Sequence, residues 1–271
     1  MIPVLHLFPK LNSSLIELLE ELTPAQWSSP TLCREWLVKD IAAHLLDTAM
    51  RRISSGRDNH FAKAPELNSY EELLIYLNSL NAGWVDAYRR VSPQVLIKQI
   101  SAVQDDFYEY LLTLDLNAPA TFPVSWAGEN ESQTWFDIAR EYTERWHHQQ
   151  QIRLAVGSRP LLESELYRPF LEISMLALPF HFRHKEASEG AAVKVNIVGD
   201  VGGSWSIVRE KGSWQFTDFE TGNATQVYIE QNIAWMLFSR GIDISEAKQY
   251  WQISGDYELG THALNMTAFM I

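Results

Sequence analysis

The chain has 271 residues, of which 46% are hydrophobic and 21% are charged. This is the composition of a globular protein with one large domain or two modest ones. The formal net charge is −12, which argues against a nucleic-acid partner and against an anionic membrane surface, because both depend on clustered Lys and Arg. No apolar run in the sequence approaches the roughly 20 residues of a membrane span, so we expect no membrane partner.

Cysteine usage indicates the compartment. Cys33 is the only cysteine, which excludes an intrachain disulfide and a zinc site built from cysteines. A single thiol favours a cytoplasmic location, and the N-terminal segment is a poor signal peptide. Cys33 is either a nucleophile or a small buried residue. The second interpretation is favoured because no sequence neighbour would activate the thiol.

Apolar residues at helical spacing predict five helices in the first 160 residues. Ser54-Ser-Gly56 is expected to close the second helix, Ser92 to cap the fourth, and Gly157 to end the fifth. Residues 115–131 are predicted to form a loop. Long helices joined by short connections predict an antiparallel bundle. The five apolar stripes begin at Leu11, Val38, Leu73, Leu96 and Trp135.

The pattern changes in the second half of the chain. Residues 163–182 still have helical spacing, but residues 191–198 alternate and are β-branched, as in strands. The chain is therefore predicted to be of the α+β class, with a domain boundary between Gly157 and Glu163 that gives domains 1–160 and 161–271. Further strands are predicted from Trp205, over Trp214–Phe219 after a turn at 210–213, and over Thr225–Ile229, with helices over Ile233–Ser239 and Tyr257–Ala268.

Three residues of the first half suggest a metal site. Glu144 and His148 are four residues apart, so both project from one face of a helix and can chelate one divalent ion, although a solvated helix face is the alternative. His44 lies beside the apolar stripe of its helix, where a satisfied core histidine is the alternative. Together they would form a His₂Glu set with an open fourth position, which is the arrangement of catalytic zinc.

Two stretches resemble the mycothiol-dependent maleylpyruvate isomerase family, which belongs to the DinB-like four-helix-bundle superfamily. Residues 27–45, with the sequence WSSPTLCREWLVKDIAAHL, are similar to the helix-2 signature of that family. Residues 140–157 resemble its last bundle helix. The resemblance implies that the metal ligands of the family fall on His44, Glu144 and His148. It implies a DinB-like antiparallel helical bundle as the first domain.

The resemblance continues in the second half. Residues 198–205, 237–241 and 253–256 are similar to the C-terminal domain of the family, which resembles sterol-carrier-like α+β folds. Arg240 matches an arginine that the family uses for activity. A guanidinium suits a dicarboxylate substrate because its fork binds a carboxylate with two hydrogen bonds. A surface salt bridge near a helix end is the alternative interpretation of Arg240.

The chain departs from the family pattern at three positions. Glu35 stands where the family usually has Gly, and Gln151 stands where it usually has Asp. His147 is an addition beside His148 and could compete as a ligand. The change at Gln151 is the one we expect to affect the surroundings of the metal or the contact between the domains.

Two further groups of residues have open interpretations. Asp40 and Asp47 flank His44 on its helix and could orient its second ring nitrogen, but charges on the helix surface are the favoured alternative. Four tryptophans could line a pocket, although such a stripe more often forms a core. They are Trp36, Trp126, Trp135 and Trp146.

The resemblance implies a function as well as a fold. We expect a divalent metal, zinc, and a low-molecular-weight thiol, mycothiol or an equivalent, as cofactors, with a small molecule as substrate. A metal-bound thiolate would add to an electrophile, as in an isomerase or a thiol transferase. The alternative is a non-catalytic metal- or small-ligand-binding protein, for which no cation such as Arg240 need face the metal.

Overall fold

The structure is a computed structural model that describes residues 1–61, 63, 65, 66, 69–219 and 222–268. The chain divides into two compact units. The helical unit comprises Pro3–Thr121 and Gln133–Leu161, and the sheet unit comprises Met1–Ile2, Phe122–Ser132 and Leu162–Ile271. The second part of the predicted loop 115–131 therefore belongs to the sheet unit, and it contains a short 3₁₀ turn at Ser125–Ala127.

The helical unit contains the five long helices that the apolar stripes predict. Ser92 caps the fourth, because its hydroxyl accepts a hydrogen bond from the Val95 amide at 3.4 Å. Gly157 ends the fifth with a φ of 68°, a left-handed conformation that glycine adopts at little cost. The helices are α1 (Phe8–Glu21), α2 (Val38–Arg52), α3 (Tyr70–Tyr88), α4 (Pro93–Leu112) and α5 (Thr134–Val156).

The end of α2 differs from the prediction. The helical path does not stop at Ser54-Ser-Gly56 but continues as a π-helical turn over Ile53–Arg57. Gly56 lies directly against α4, since a Cβ atom built on it would lie 2.0 Å from the Tyr110 hydroxyl oxygen. The glycine therefore permits a close approach between two helices rather than ending one.

Helices α2 and α5 run antiparallel, and an ion pair and a histidine–carboxylate hydrogen bond join them at two levels. Arg52, near the end of α2, donates a hydrogen bond to the fully buried Asp137 near the start of α5. His44, in the middle of α2, pairs with Glu144 further along α5. Rising numbers on α2 meet falling numbers on α5, which establishes the antiparallel direction, and these four residues face each other inside the bundle.

The sheet unit contains the strands β1 (Ala192–Val198), β2 (Gly203–Glu210), β3 (Ser213–Phe216), β4 (Thr225–Glu230) and β5 (Trp251–Ser254). They form a mixed sheet in the order β3-β2-β1-β4-β5, in which the pairing of β1 with β4 is parallel and the other three pairings are antiparallel. The α+β class predicted from the sequence is confirmed. The helices of this unit are α6 (Ser164–Met175), α7 (Leu178–His181), α8 (Gln231–Phe238) and α9 (Tyr257–Leu264).

Several elements of the sheet unit differ from the sequence-based expectation, including the helical stretch 163–182, which is divided into α6 and α7. Strand β3 ends at Phe216 and helix α9 at Leu264, so both are shorter than predicted. Strand β5 was not predicted, because four residues are too few to show a period-2 pattern. It exists through its antiparallel pairing with β4 at the sheet edge. Within the described residues, no helix is long and apolar enough to cross a membrane.

Candidate metal centre

The structure brings the three predicted ligands together. His44 comes from α2, and Glu144 and His148 come from adjacent turns of α5. One carboxylate oxygen, Oε1 of Glu144, lies 3.2 Å from Nε2 of His44 and 3.0 Å from Nε2 of His148. The three donor atoms all lie within 4.8 Å of one another. We call His44, Glu144 and His148 the donor cluster.

The donor cluster fits a divalent ion. Tetrahedral zinc with ligands at about 2.0–2.1 Å places neighbouring donors about 3.3 Å apart, close to the two distances from the Glu144 oxygen. Two imidazole nitrogens and one carboxylate oxygen form a donor set of catalytic zinc sites. The His44 side chain is only 5% exposed, whereas that of Glu144 is 32% exposed. The cluster therefore remains accessible from one side.

The electrostatics of the cluster favour a neutral His44 and an ionised Glu144, the protonation states that a metal needs of these two residues. Burial lowers the pKa of His44, so its imidazole is kept neutral. Burial alone would raise the pKa of Glu144, but the charge and hydrogen bond of His148, joined by His44, hold it well below its usual value. Burial likewise opposes the charge on His148, yet Glu144 raises the pKa of that imidazole. A metal ion would replace the His148 proton beside the carboxylate.

Gln151 orients His148. Its Oε1 lies 2.9 Å from Nδ1 of His148. Because an amide oxygen only accepts hydrogen bonds, Nδ1 carries the hydrogen, and in the neutral ring Nε2 keeps its lone pair for a metal. The sequence marked Gln151 as a departure from the family pattern, and the structure shows that this departure lies in direct contact with a donor residue.

His147 is not a member of the donor cluster. Its side chain is buried, and its ring centre lies 5.1 Å from that of His148. Burial lowers the pKa of His147 to about 3, with a further contribution from His148. The neighbouring histidine is therefore a neutral interior residue in this structure, and the expected competition between His147 and His148 is not seen in the geometry.

Neither aspartate on α2 orients His44. Asp40 accepts a hydrogen bond from the Leu37 amide at 3.0 Å and pairs with Arg89, so it stabilises the start of the helix. Asp47 pairs with Arg51 at 2.9 Å. The orienting role considered for both carboxylates is wrong, since Nδ1 of His44 is buried without a hydrogen-bond partner among the described residues. Both carboxylates are buried, so the surface-charge interpretation is also wrong.

The four tryptophans considered as pocket residues occupy different places. Trp36 lies against His44, with ring centres 4.8 Å apart. Trp146 is fully buried in the helical unit, Trp135 stacks on its neighbour Phe136, and Trp126 is buried in the sheet unit. Of these four, Trp36 is the one whose ring lies against both imidazoles of the donor cluster.

Arg240 and Cys33 lie in different units. Arg240 follows α8 in the sheet unit with a φ of 51°, and its Nε donates a hydrogen bond to the Thr267 hydroxyl at 2.8 Å. It forms no ion pair with the described residues, so the salt-bridge interpretation is not supported.

Cys33 packs beside the apolar core of the helical unit, and burial raises the pKa of its thiol. A raised pKa disfavours the nucleophilic thiolate.

A buried charge network precedes the donor cluster on α5, and sequence reasoning missed it. Asp137 accepts hydrogen bonds from Arg52 and, at 2.6 Å, from Arg140, which also donates to Glu141 at 3.0 Å. Pairing offsets the cost of burying these charges. The i, i+3 spacing of Asp137 and Arg140 was the available signal, but the sequence alone does not show that the pair is buried.

Comparisons with known proteins bear on the family and the fold of the chain. Residues 8–153 match the family model of the mycothiol maleylpyruvate isomerase N-terminal domain. The fold is similar to a crystal structure of the mycothiol-dependent maleylpyruvate isomerase, with a TM-score of 0.53 and 12% identity over 92% of this chain and 91% of that chain. A structure of a mutant of that enzyme matches with the same TM-score and coverage and 10% identity.

No curated protein sequence matches the chain significantly. Identities this low show a shared fold and do not by themselves carry over an activity. The family model, in contrast, covers more than half of the chain. The protein therefore belongs to the mycothiol maleylpyruvate isomerase family.

Proposed function

We propose that the protein is a metal- and thiol-dependent enzyme, an isomerase or a thiol transferase acting on a small electrophile. The observation that carries the proposal is the donor cluster, in which two imidazoles and one carboxylate meet with one side open. The relatives of similar fold are mycothiol-dependent maleylpyruvate isomerases. Their substrate and thiol are the first candidates for this protein.

The residues of the chain would act as follows. A bound zinc ion would lower the pKa of a coordinated thiol, so that the thiol is a thiolate at neutral pH. The thiolate is the nucleophile that would add to an activated double bond of the substrate and would later leave the adduct. His44 and His148 would offer neutral nitrogens to the ion and Glu144 one negative charge, while Gln151 fixes the ring of His148. Arg240 would hold a carboxylate of the substrate through its guanidinium fork.

The remaining parts of the proposal rest on the sequence. We assign the metal to a domain of residues 1–160 and the substrate-binding arginine to a domain of residues 161–271. The single cysteine supports a cytoplasmic location. The net charge of −12 argues against a nucleic-acid partner, and the family resemblance implies a small-molecule substrate.

A turnover assay tests this function. The zinc-loaded protein is given maleylpyruvate or a simple electrophile, each with several cellular thiols, and a His44→Ala variant serves as the matched control. We expect turnover that requires both the metal and one of the thiols and that His44→Ala abolishes. Full zinc occupancy without turnover of either substrate would favour the non-catalytic metal- or ligand-binding protein instead.

A further inference from the structure

Trp36 forms an aromatic wall beside the donor cluster. Its ring centre lies 4.8 Å from that of His44 and 6.3 Å from that of His148. The side chain is half-buried, so part of the indole remains accessible next to the imidazoles. Among the described residues, Trp36 is the only tryptophan whose ring contacts His44 or His148, and His147 is a further aromatic neighbour of His148.

The backbone around Trp36 is held firmly. The Thr31 hydroxyl donates a hydrogen bond to the Trp36 carbonyl at 2.8 Å, and the Trp36 amide donates to the Cys33 carbonyl at 2.8 Å. Pro30 and Leu37 form an isolated bridge on either side of this loop. The backbone that carries the indole is therefore ordered before any ligand arrives, which lowers the entropic cost of binding against it.

The indole N–H of Trp36 has no hydrogen-bond partner among the described residues. Four other tryptophans use the same group to donate a hydrogen bond within the protein. A partly buried indole N–H usually donates a hydrogen bond, whereas that of Trp36, beside the donor cluster, remains available to a ligand. The four satisfied donors are those of Trp84, Trp135, Trp214 and Trp251.

We infer that Trp36 determines which thiol the centre accepts. This inference rests on the proposed function, since it assumes a thiol at the open position of a metal held by the donor cluster. The indole face would pack against the organic group of the thiol, and the indole N–H would donate to an acceptor oxygen on that group. The ligand class is a thiol that presents both an apolar face and a hydrogen-bond acceptor.

Thiol binding to the cobalt-loaded protein tests this role without turnover, because a thiolate bound to Co²⁺ gives a near-ultraviolet charge-transfer band. Two probes differ only in one ring oxygen: tetrahydropyran-4-thiol has an acceptor and cyclohexanethiol has none. The variants are Trp36→Phe, Trp36→Leu and, as a matched control, Trp135→Phe, whose indole bonds to Gln133 instead.

We expect all variants to bind as much cobalt as the unchanged protein, because the indole is not a ligand. The unchanged protein and Trp135→Phe should bind the tetrahydropyran thiol about three- to tenfold more tightly than cyclohexanethiol. Trp36→Phe should bind the two thiols equally. Trp36→Leu should bind both thiols about three to ten times more weakly than Trp36→Phe does, since it also removes the aromatic face.

Other outcomes separate this inference from the proposed function. Unchanged thiol affinities in Trp36→Leu with full cobalt would overturn the inference and leave the proposed function standing. Loss of cobalt in Trp36→Leu would also overturn it, since the indole would then only support the imidazoles. Failure of the unchanged protein to bind cobalt or either thiol would remove the proposed function and the inference together.

Discussion

His148 and Gln151, one turn apart on α5, share a hydrogen bond of 2.9 Å between Nδ1 and Oε1. The neutral amide orients the imidazole without adding a negative charge beside it. A carboxylate in that place would make the imidazole a more basic ligand. In the donor cluster, the only carboxylate oxygen is that of Glu144.

The first prediction concerns Gln151. Gln151→Leu should weaken zinc binding about 10- to 100-fold, because it removes the partner that orients His148. Gln151→Glu should bind zinc at least as tightly as the unchanged protein. Competition with a chromophoric chelator measures both affinities. Gln150→Leu is the control, since Gln150 bonds to the Leu161 amide instead, and equal affinities in all four proteins would contradict the orienting role.

The second prediction separates the donor cluster from its neighbour. The purified protein should hold about one divalent ion per chain. His44→Ala, Glu144→Ala and His148→Ala should each lose it, because two remaining ligands bind weakly. His147→Ala should keep it, since His147 lies outside the cluster. Elemental analysis of each variant measures the bound ion. Loss of the ion in His147→Ala but not in His148→Ala would contradict the prediction, because the ligand would then be His147.

The third prediction concerns stability. An ion that binds only the folded state stabilises it by mass action, by about 2.7 kcal/mol at a free concentration 100 times the dissociation constant. The thermal midpoint of the helical unit should therefore fall by several degrees when a chelator removes the metal. Glu144→Ala should show no such difference. If the midpoint of the unchanged protein stays constant after complete metal removal, the donor cluster is not a metal centre.

The fourth prediction concerns pH. The pKa of His147 is about 3 in the folded protein and about 6.5 in an unfolded chain. Between these values the unfolded chain binds the extra proton, so stability falls as pH falls, by at most about 1.4 kcal/mol per pH unit. Denaturant unfolding of the metal-free protein from pH 6 to pH 4 should show a flatter dependence in His147→Gln. Parallel curves would mean that His147 takes up its proton while folded.

The fifth prediction concerns Arg240. Arg240→Lys keeps the positive charge but loses the planar fork, so it should lower kcat/KM for a dicarboxylate substrate by at least tenfold. Turnover of an uncharged electrophile with the same thiol should be unaffected. Steady-state kinetics with both substrates provides the comparison. An equal effect on both substrates would mean that Arg240 only stabilises the sheet unit, where its side chain donates a hydrogen bond to Thr267.

The sequence alone determined the features that depend on local spacing. Apolar stripes located the five long helices, because a helix must bury one face. The four-residue spacing of Glu144 and His148 placed both on one side of α5, because the helical period leaves no alternative. The alternating, β-branched residues 192–198 located the first strand, because successive side chains of a strand point to opposite faces of the sheet.

Only the tertiary structure decided which distant residues meet. His44 and Glu144 are 100 residues apart in the chain, and spacing along each helix does not fix how the two helices turn toward each other. The same holds for Asp40 and Asp47, whose partners are arginines rather than His44. The approach of Tyr110 to Gly56 and the edge pairing that forms β5 likewise depend on long-range packing, which a local sequence pattern does not encode.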